Sequence, residues 1–143
     1  MMKEEIKARL EKKRPTRVFS YIHGEGRLGV LVEIESDTDF ALRNELVGTF
    51  AHEVCLQITS MNPQGVDDSP DRDQVASFLS GTIEGPHKDK IIQGRLAKWD
   101  KENLLLYMPW VKDNSKTIGA LLSELCDKMG EKVSILRFAR FGK

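Results

Sequence analysis

His23-Gly24-Glu25-Gly26-Arg27-Leu28-Gly29-Val30-Leu31-Val32-Glu33-Ile34-Glu35 is the stretch whose reading separates two folds. Gly24, Gly26 and Gly29 spell GxGxxG, the spacing of a dinucleotide-binding turn. That chemistry requires a helix N-terminus directly after the glycines, because helix amides and the helix dipole hold the pyrophosphate. Here Val30-Leu31-Val32-Glu33-Ile34 follows instead, an apolar, β-branched run that reads as a strand. Arg17-Val18-Phe19-Ser20-Tyr21-Ile22, upstream of the glycines, has the same character. Two strands around a glycine turn form a β-hairpin, and the nucleotide reading falls away.

Beyond the hairpin, Leu42, Leu46, Val47, Phe50, Ala51, Val54, Cys55 and Ile58 recur at three- and four-residue spacing and predict a long amphipathic helix, stopped near Met61-Asn62-Pro63. Residues 64 to 73 read as an acidic, turn-rich connection, and 74 to 79 as either a short helix or a strand. Residues 87 to 99 predict a helix with Ile91, Ile92, Leu96 and Trp99 on its apolar side. A leucine cluster follows, Met108-Pro109-Trp110-Val111 interrupts the pattern, and Thr117 to Met129 predicts a last helix capped by Gly130. Val133 to Phe141 alternates as a closing strand. Residues 3 to 13 are rich in helix formers but carry only Ile6, Ala8 and Leu10 as apolar content, so residues 1–16 are expected to be an N-terminal arm, helical where docked. The predicted fold class is α+β: a small antiparallel sheet, made of the N-terminal hairpin and the C-terminal strand, packed against several helices.

A chain of 143 residues with 40% hydrophobic and 31% charged residues suits one folded domain, here placed at 17–143. No apolar run approaches the roughly 18 residues of a membrane span, and the charged start lacks a secretory h-region. The expectation is a protein of the cytoplasm or an organelle matrix. The formal net charge is zero but uneven: residues 1–17 carry seven basic and three acidic side chains, residues 18–80 three and eleven, and residues 81–143 twelve and eight. The acidic middle is the opposite of a nucleic-acid footprint. It is either a set of solvated faces or a surface that steers a basic protein partner.

Little in the chain points to catalysis. Two cysteines on apolar helical stripes, Cys55 and Cys126, make neither a metal site nor a disulfide framework. His23, His52 and His87 lie apart from any HxxxH or HExxH spacing. A hydrolase using His52 and Cys55, one helical turn apart, is the enzyme alternative; otherwise neither enzyme, metal nor cofactor is expected. A binding module is favoured, with Asp39, Phe40 and Trp110 as the groups to display, although a Trp after a Pro also reads as a core plug. Asp39 and Phe40 stand out because they fall between strand and helix, outside the apolar pattern.

Tyr21-Ile22-His23-Gly24, Gly26-Arg27-Leu28-Gly29-Val30-Leu31-Val32-Glu33 and Thr38-Asp39-Phe40-Ala41 strongly resemble the core of the translation elongation factor Ts family. Met61-Asn62-Pro63, Gln93 to Lys98, Pro109 to Asp113 and Arg137-Phe138-Ala139-Arg140-Phe141 are similar to its later motifs, in order. The resemblance implies a guanine-nucleotide exchange factor for the GTPase elongation factor Tu, with the Asp39-Phe40 pair entering near the Mg²⁺ and phosphate site of the GTPase. It also implies a partner-binding set of Thr38, Asp39, Phe40, His23 and Gly24, and a homodimer through the hairpin and closing strand, as in single-module members. The pattern departs from the family in places. The usual Thr-Asp-Phe-Val-Ala reads Thr38-Asp39-Phe40-Ala41-Leu42, and Tyr107-Met108 stands where Glu-Gln precedes Pro-Phe. Residues 1 to 16 are too short for the ubiquitin-associated-like domain with which members usually begin. The alternative reading is a Ts-like adaptor or chaperone that holds elongation factor Tu without efficient exchange.

Overall fold

The computed structural model describes residues 13–143, so the predicted arm helix lies almost wholly outside the described residues. Strand β1 (Thr16–His23) and strand β2 (Leu28–Ser36) pair antiparallel, with Phe19 opposite Val32 and Tyr21 opposite Val30. Between them Gly24, Glu25 and Gly26 take consecutive left-handed φ angles of 62°, 61° and 86°. Only glycine adopts that backbone without strain, which is why two of the three positions are glycine. Arg27 closes the turn by donating its N–H to the carbonyl of His23 at 3.1 Å. The glycines therefore serve a hairpin.

Strand β5 (Val133–Gly142) pairs antiparallel with the other edge of β2, giving the order β1-β2-β5. The register shifts between Glu33, opposite Arg137, and Ile34, opposite Ile135, so Leu136 is the extra residue of a β-bulge. Alternation sorts β2 by face. Val30, Val32 and Ile34 are fully buried, while Leu31 is 45% exposed.

The sequence expects one helix from about Leu42; the structure breaks it. A single turn, α1 (Asp39–Leu42), is followed by α2 (Glu45–Met61), and Asn44 caps α2 by accepting the N–H of Leu46 at 2.8 Å. An Asn oxygen satisfying that amide starts a new helix where the apolar spacing alone would run on. Val47, Phe50, Ala51, Val54, Cys55 and Ile58 of α2 pack on the inner sheet face and form the core with Leu105, Ile118, Leu125, Val133 and Ile135. Asn62 ends α2 in the left-handed region.

The ambiguous segment is helical: α3 (Pro70–Thr82) begins with Ser69 as N-cap and Pro70 in its first turn, so 70–73 belong to the helix rather than to the connection. Helix α4 (Lys88–Asn103) packs on α3, and the pair is tied at its base by Arg72, whose Nε and Nη2 reach the Asp100 carboxylate at 2.7 and 3.2 Å. Leu104, Leu105 and Met108 are fully buried around a 3₁₀ turn at Leu105–Tyr107. A small second sheet of β3 (Pro109–Trp110) and β4 (Asp113–Thr117), not foreseen from the sequence, precedes α5 (Ile118–Met129). Thr117 caps α5 at its start and Gly130, at φ 68°, ends it. The architecture is α+β, as expected.

Candidate functional site

Phe40 is 71% exposed, the most exposed large hydrophobic residue among those described. It and Asp39 occupy the first two positions of α1, while Ala41 and Leu42 turn inward and are buried. One pair faces water and the next faces the core, and the turn goes no further because Asn44 caps a new helix just beyond it. Thr38 sits before it in an extended conformation (φ −134°, ψ 152°), and its hydroxyl oxygen accepts the Ala41 N–H at 3.2 Å.

The strand pairing explains what surrounds this turn. Ser36 lies opposite Val133, so residues 37 and 38, leaving β2, run beside 131 and 132, entering β5. Thr38 donates its backbone N–H to Glu131 Oε1 at 3.0 Å, and its hydroxyl lies 3.1 and 3.0 Å from the two Glu131 oxygens. Asp37 accepts the Lys132 N–H at 3.0 Å and an Arg14 N–H at 2.9 Å, and Arg14 also donates to the Lys132 carbonyl at 2.8 Å and pairs with Glu35. The Lys132 amide, with the Arg14 guanidinium assisting, holds the Asp37 carboxyl below its ordinary range. Arg17 donates to the carbonyl of Leu42 at 2.9 Å and closes the far side of the turn.

His23 and Gly24 are exposed in the hairpin turn, at the opposite end of β1. Thr38, Asp39 and Phe40 form one cluster; His23 and Gly24 lie roughly 20–25 Å away along the strand. The Tyr21 hydroxyl is 2.9 Å from His23 Nδ1, and the Tyr21 ring meets His52 edge-on at 5.7 Å between centroids. His52 thus faces out beside the hairpin, while Cys55 is buried and its thiol is pushed up to about 11 by burial. The two do not form a nucleophile and base. Trp110 packs against the core rather than standing free, in line with the core-plug reading. Among the described residues no group of three or more His, Cys, Asp or Glu is arranged to hold a metal, and no helix is long and apolar enough to cross a membrane.

Glu131, Arg14, Asp37 and Lys132 are the residues that sequence reasoning did not attach to this site. No local signal marks them, since Glu131 and Thr38 are 93 positions apart.

These features define an α+β domain that displays an acid and an aromatic ring on a capped turn at one end of a three-stranded sheet. The family model described as Elongation factor TS matches residues 2–143. Relatives named elongation factor Ts include one from Caldanaerobacter subterraneus, 40% identical over 87% of this chain and 66% of its own length. Another, from Coprothermobacter proteolyticus, is 37% identical over 99% of this chain and 79% of its own length. A third, from Acetivibrio thermocellus, is 40% identical over 87% and 62%. The chain belongs to the elongation factor Ts family, whose members are translation elongation factors. It spans 61 to 66% of the length of three of the curated relatives it matches and 79% of a fourth.

Proposed function

We propose that the protein is a guanine-nucleotide exchange factor that binds the GTPase elongation factor Tu and promotes GDP release. It acts through protein contact and is not itself an enzyme. The observation that carries this reading is the exposed Phe40 ring beside Asp39 on a turn whose start is fully hydrogen-bonded. GDP in a GTPase is held by backbone amides and by a Mg²⁺ that requires near-octahedral geometry. A rigid aromatic wedge that displaces those elements by a fraction of an ångström therefore lowers nucleotide affinity, and Asp39 adds negative charge near the metal. Reciprocity follows: GDP weakens binding of this chain by the same factor. His23 and Gly24, at the other end of the strand, supply a second contact with the partner. The setting is the cytoplasm or an organelle matrix, with neither nucleic acid nor membrane as a partner.

The test is release of labelled GDP from elongation factor Tu with and without the chain. Acceleration supports the proposal. Tight binding without acceleration at saturation establishes the adaptor reading instead.

A homodimer is part of the same proposal. The outer face of the sheet exposes Val18, Ile22, Leu31 and Phe141 at 55, 65, 45 and 69%. They lie around Gly29 and Ala139 on the same face, an apolar patch that a second copy would cover. Leu31→Glu is expected to turn a dimer into a monomer by size exclusion with light scattering; a wild-type protein that elutes as a monomer at high concentration rules the dimer out.

A further inference from the structure

A helix of one turn has no stability of its own, so α1 must take its orientation from outside itself. Burial of Ala41 and Leu42 anchors the second half of the turn, but the first half, with Phe40 exposed, takes little orientation from packing. The start of the turn supplies it, because every polar atom of Thr38 is engaged. Its carbonyl accepts the Ser36 hydroxyl at 2.5 Å, its hydroxyl oxygen accepts the Ala41 N–H, and its own two donors, N–H and O–H, both go to Glu131. A hydroxyl has a single proton, so the two Glu131 oxygens share it. Ala41 belongs to the turn itself, and Ser36, the last residue of β2, ties Thr38 only to its own strand. Glu131 is anchored elsewhere, between the Gly130 cap of α5 and the start of β5.

We propose that Glu131 is a positioning residue for the Asp39-Phe40 turn: by gripping the N–H and hydroxyl of Thr38, it fixes the direction in which the Phe40 ring leaves the surface. The inference takes its partner from the exchange-factor reading, but its geometry stands independently of that reading. A ring held in its binding direction before contact avoids the ordering cost that a loose turn incurs on association. The neighbouring bonds of Asp37 to Lys132 and Arg14 already join the two loops. Removal of the Glu131 carboxylate therefore loosens the turn without opening the sheet.

The experiment compares Glu131→Ala and Glu131→Gln, each alone and combined with Phe40→Ala, in stimulated GDP release, thermal melting and amide hydrogen exchange of the full chain. Glu131→Ala is expected to lower stimulated release about tenfold, the effect of losing a charge-assisted hydrogen bond. The same change on a Phe40→Ala background should cost less than about twofold, because residues that act through one another are not additive. Glu131→Gln keeps an acceptor for the N–H and a partner for the hydroxyl, and is expected within about threefold of wild type. The amides of Thr38 and Ala41 should exchange faster in Glu131→Ala while β2 and β5 stay protected. Wild-type release by Glu131→Ala overturns the proposal, as do equal losses in the two backgrounds, which would mark a structural role unrelated to Phe40. If the wild-type chain does not accelerate GDP release, the exchange-factor reading fails instead. Amide exchange then decides for Glu131: unchanged protection at Thr38 and Ala41 overturns its role, and selective loss there upholds it.

Discussion

Phe40→Ala tests whether the ring works on the partner or on the fold, because the structure assigns very different energies to the two. The residue is 71% exposed, so 29% of its surface is covered in the free protein. Full burial of a Phe side chain is worth about 1.5–3 kcal/mol, so the covered share contributes about 0.5–1 kcal/mol to folding. In a chain of 143 residues that corresponds to a fall of about 3 °C or less in melting temperature. The uncovered share amounts to about 1–2 kcal/mol if the partner buries it completely. Lost from the exchange-competent complex alone, that is a five- to thirtyfold fall in stimulated GDP release, taking about 1.4 kcal/mol per factor of ten. The assay is release of labelled GDP from elongation factor Tu over a range of concentrations of the variant, beside a thermal melt of the variant alone. A drop of about 10 °C or more would put Phe40 in the core, where Phe→Ala costs about 3–5 kcal/mol. Unchanged release with an unchanged melt would show that the ring never enters the interface.

Other expectations concern the frame that holds the site. Gly65→Ala places a Cβ 2.1 Å from the Asp68 carbonyl oxygen, a backbone atom that cannot swing away, and is expected to destabilise by about 1–3 kcal/mol in a denaturant melt. The Asp37 carboxyl is held below its ordinary value, so its contribution is fully present above the unfolded pKa of about 3.9 and is lost as pH falls through the folded value. The loops it joins, 36–38 and 131–132, should therefore stay protected at pH 5 by hydrogen exchange and loosen only below about pH 4. Cys55, buried with its thiol near 11, is expected to remain unmodified by iodoacetamide at pH 8 and to react in denaturant, as read by mass spectrometry.

The sheet was legible because its two signals are local: period-two alternation in Val30 to Ile34 and a glycine turn with no helix after it. The break after Leu42 was harder, since Leu42, Leu46 and Val47 continue the helical spacing across it. Asn44 was the contrary signal, a capping residue within an apolar pattern. Helix α3 was masked by Ser69-Pro70-Asp71, which fits a turn as well as the N-cap and first turn that it forms. The second sheet has no apolar alternation at all in Asp113 to Thr117, and its strands meet through a turn at Val111-Lys112 that carries no glycine signal. At the site, the display of Phe40 could be anticipated from its place outside the apolar stripe. The grip on Thr38 could not, because it depends on the pairing of Ser36 with Val133, and so on a register that the alternation of β5 leaves open at its bulge.

That pairing also sets an order of events in the life of the chain. Residues 16 to 61 can zip into hairpin and helix through contacts close in sequence, but Glu131 and Lys132 meet Thr38 and Asp37 only across more than ninety positions. Contacts of such sequence separation form late, once the entropy of closing the loop between them has been met. A nascent chain that has emerged only as far as α5 would therefore carry Asp39 and Phe40 on a turn that is not yet held. The docking of β5 on β2 joins the third strand to the sheet and fixes the turn in the same step.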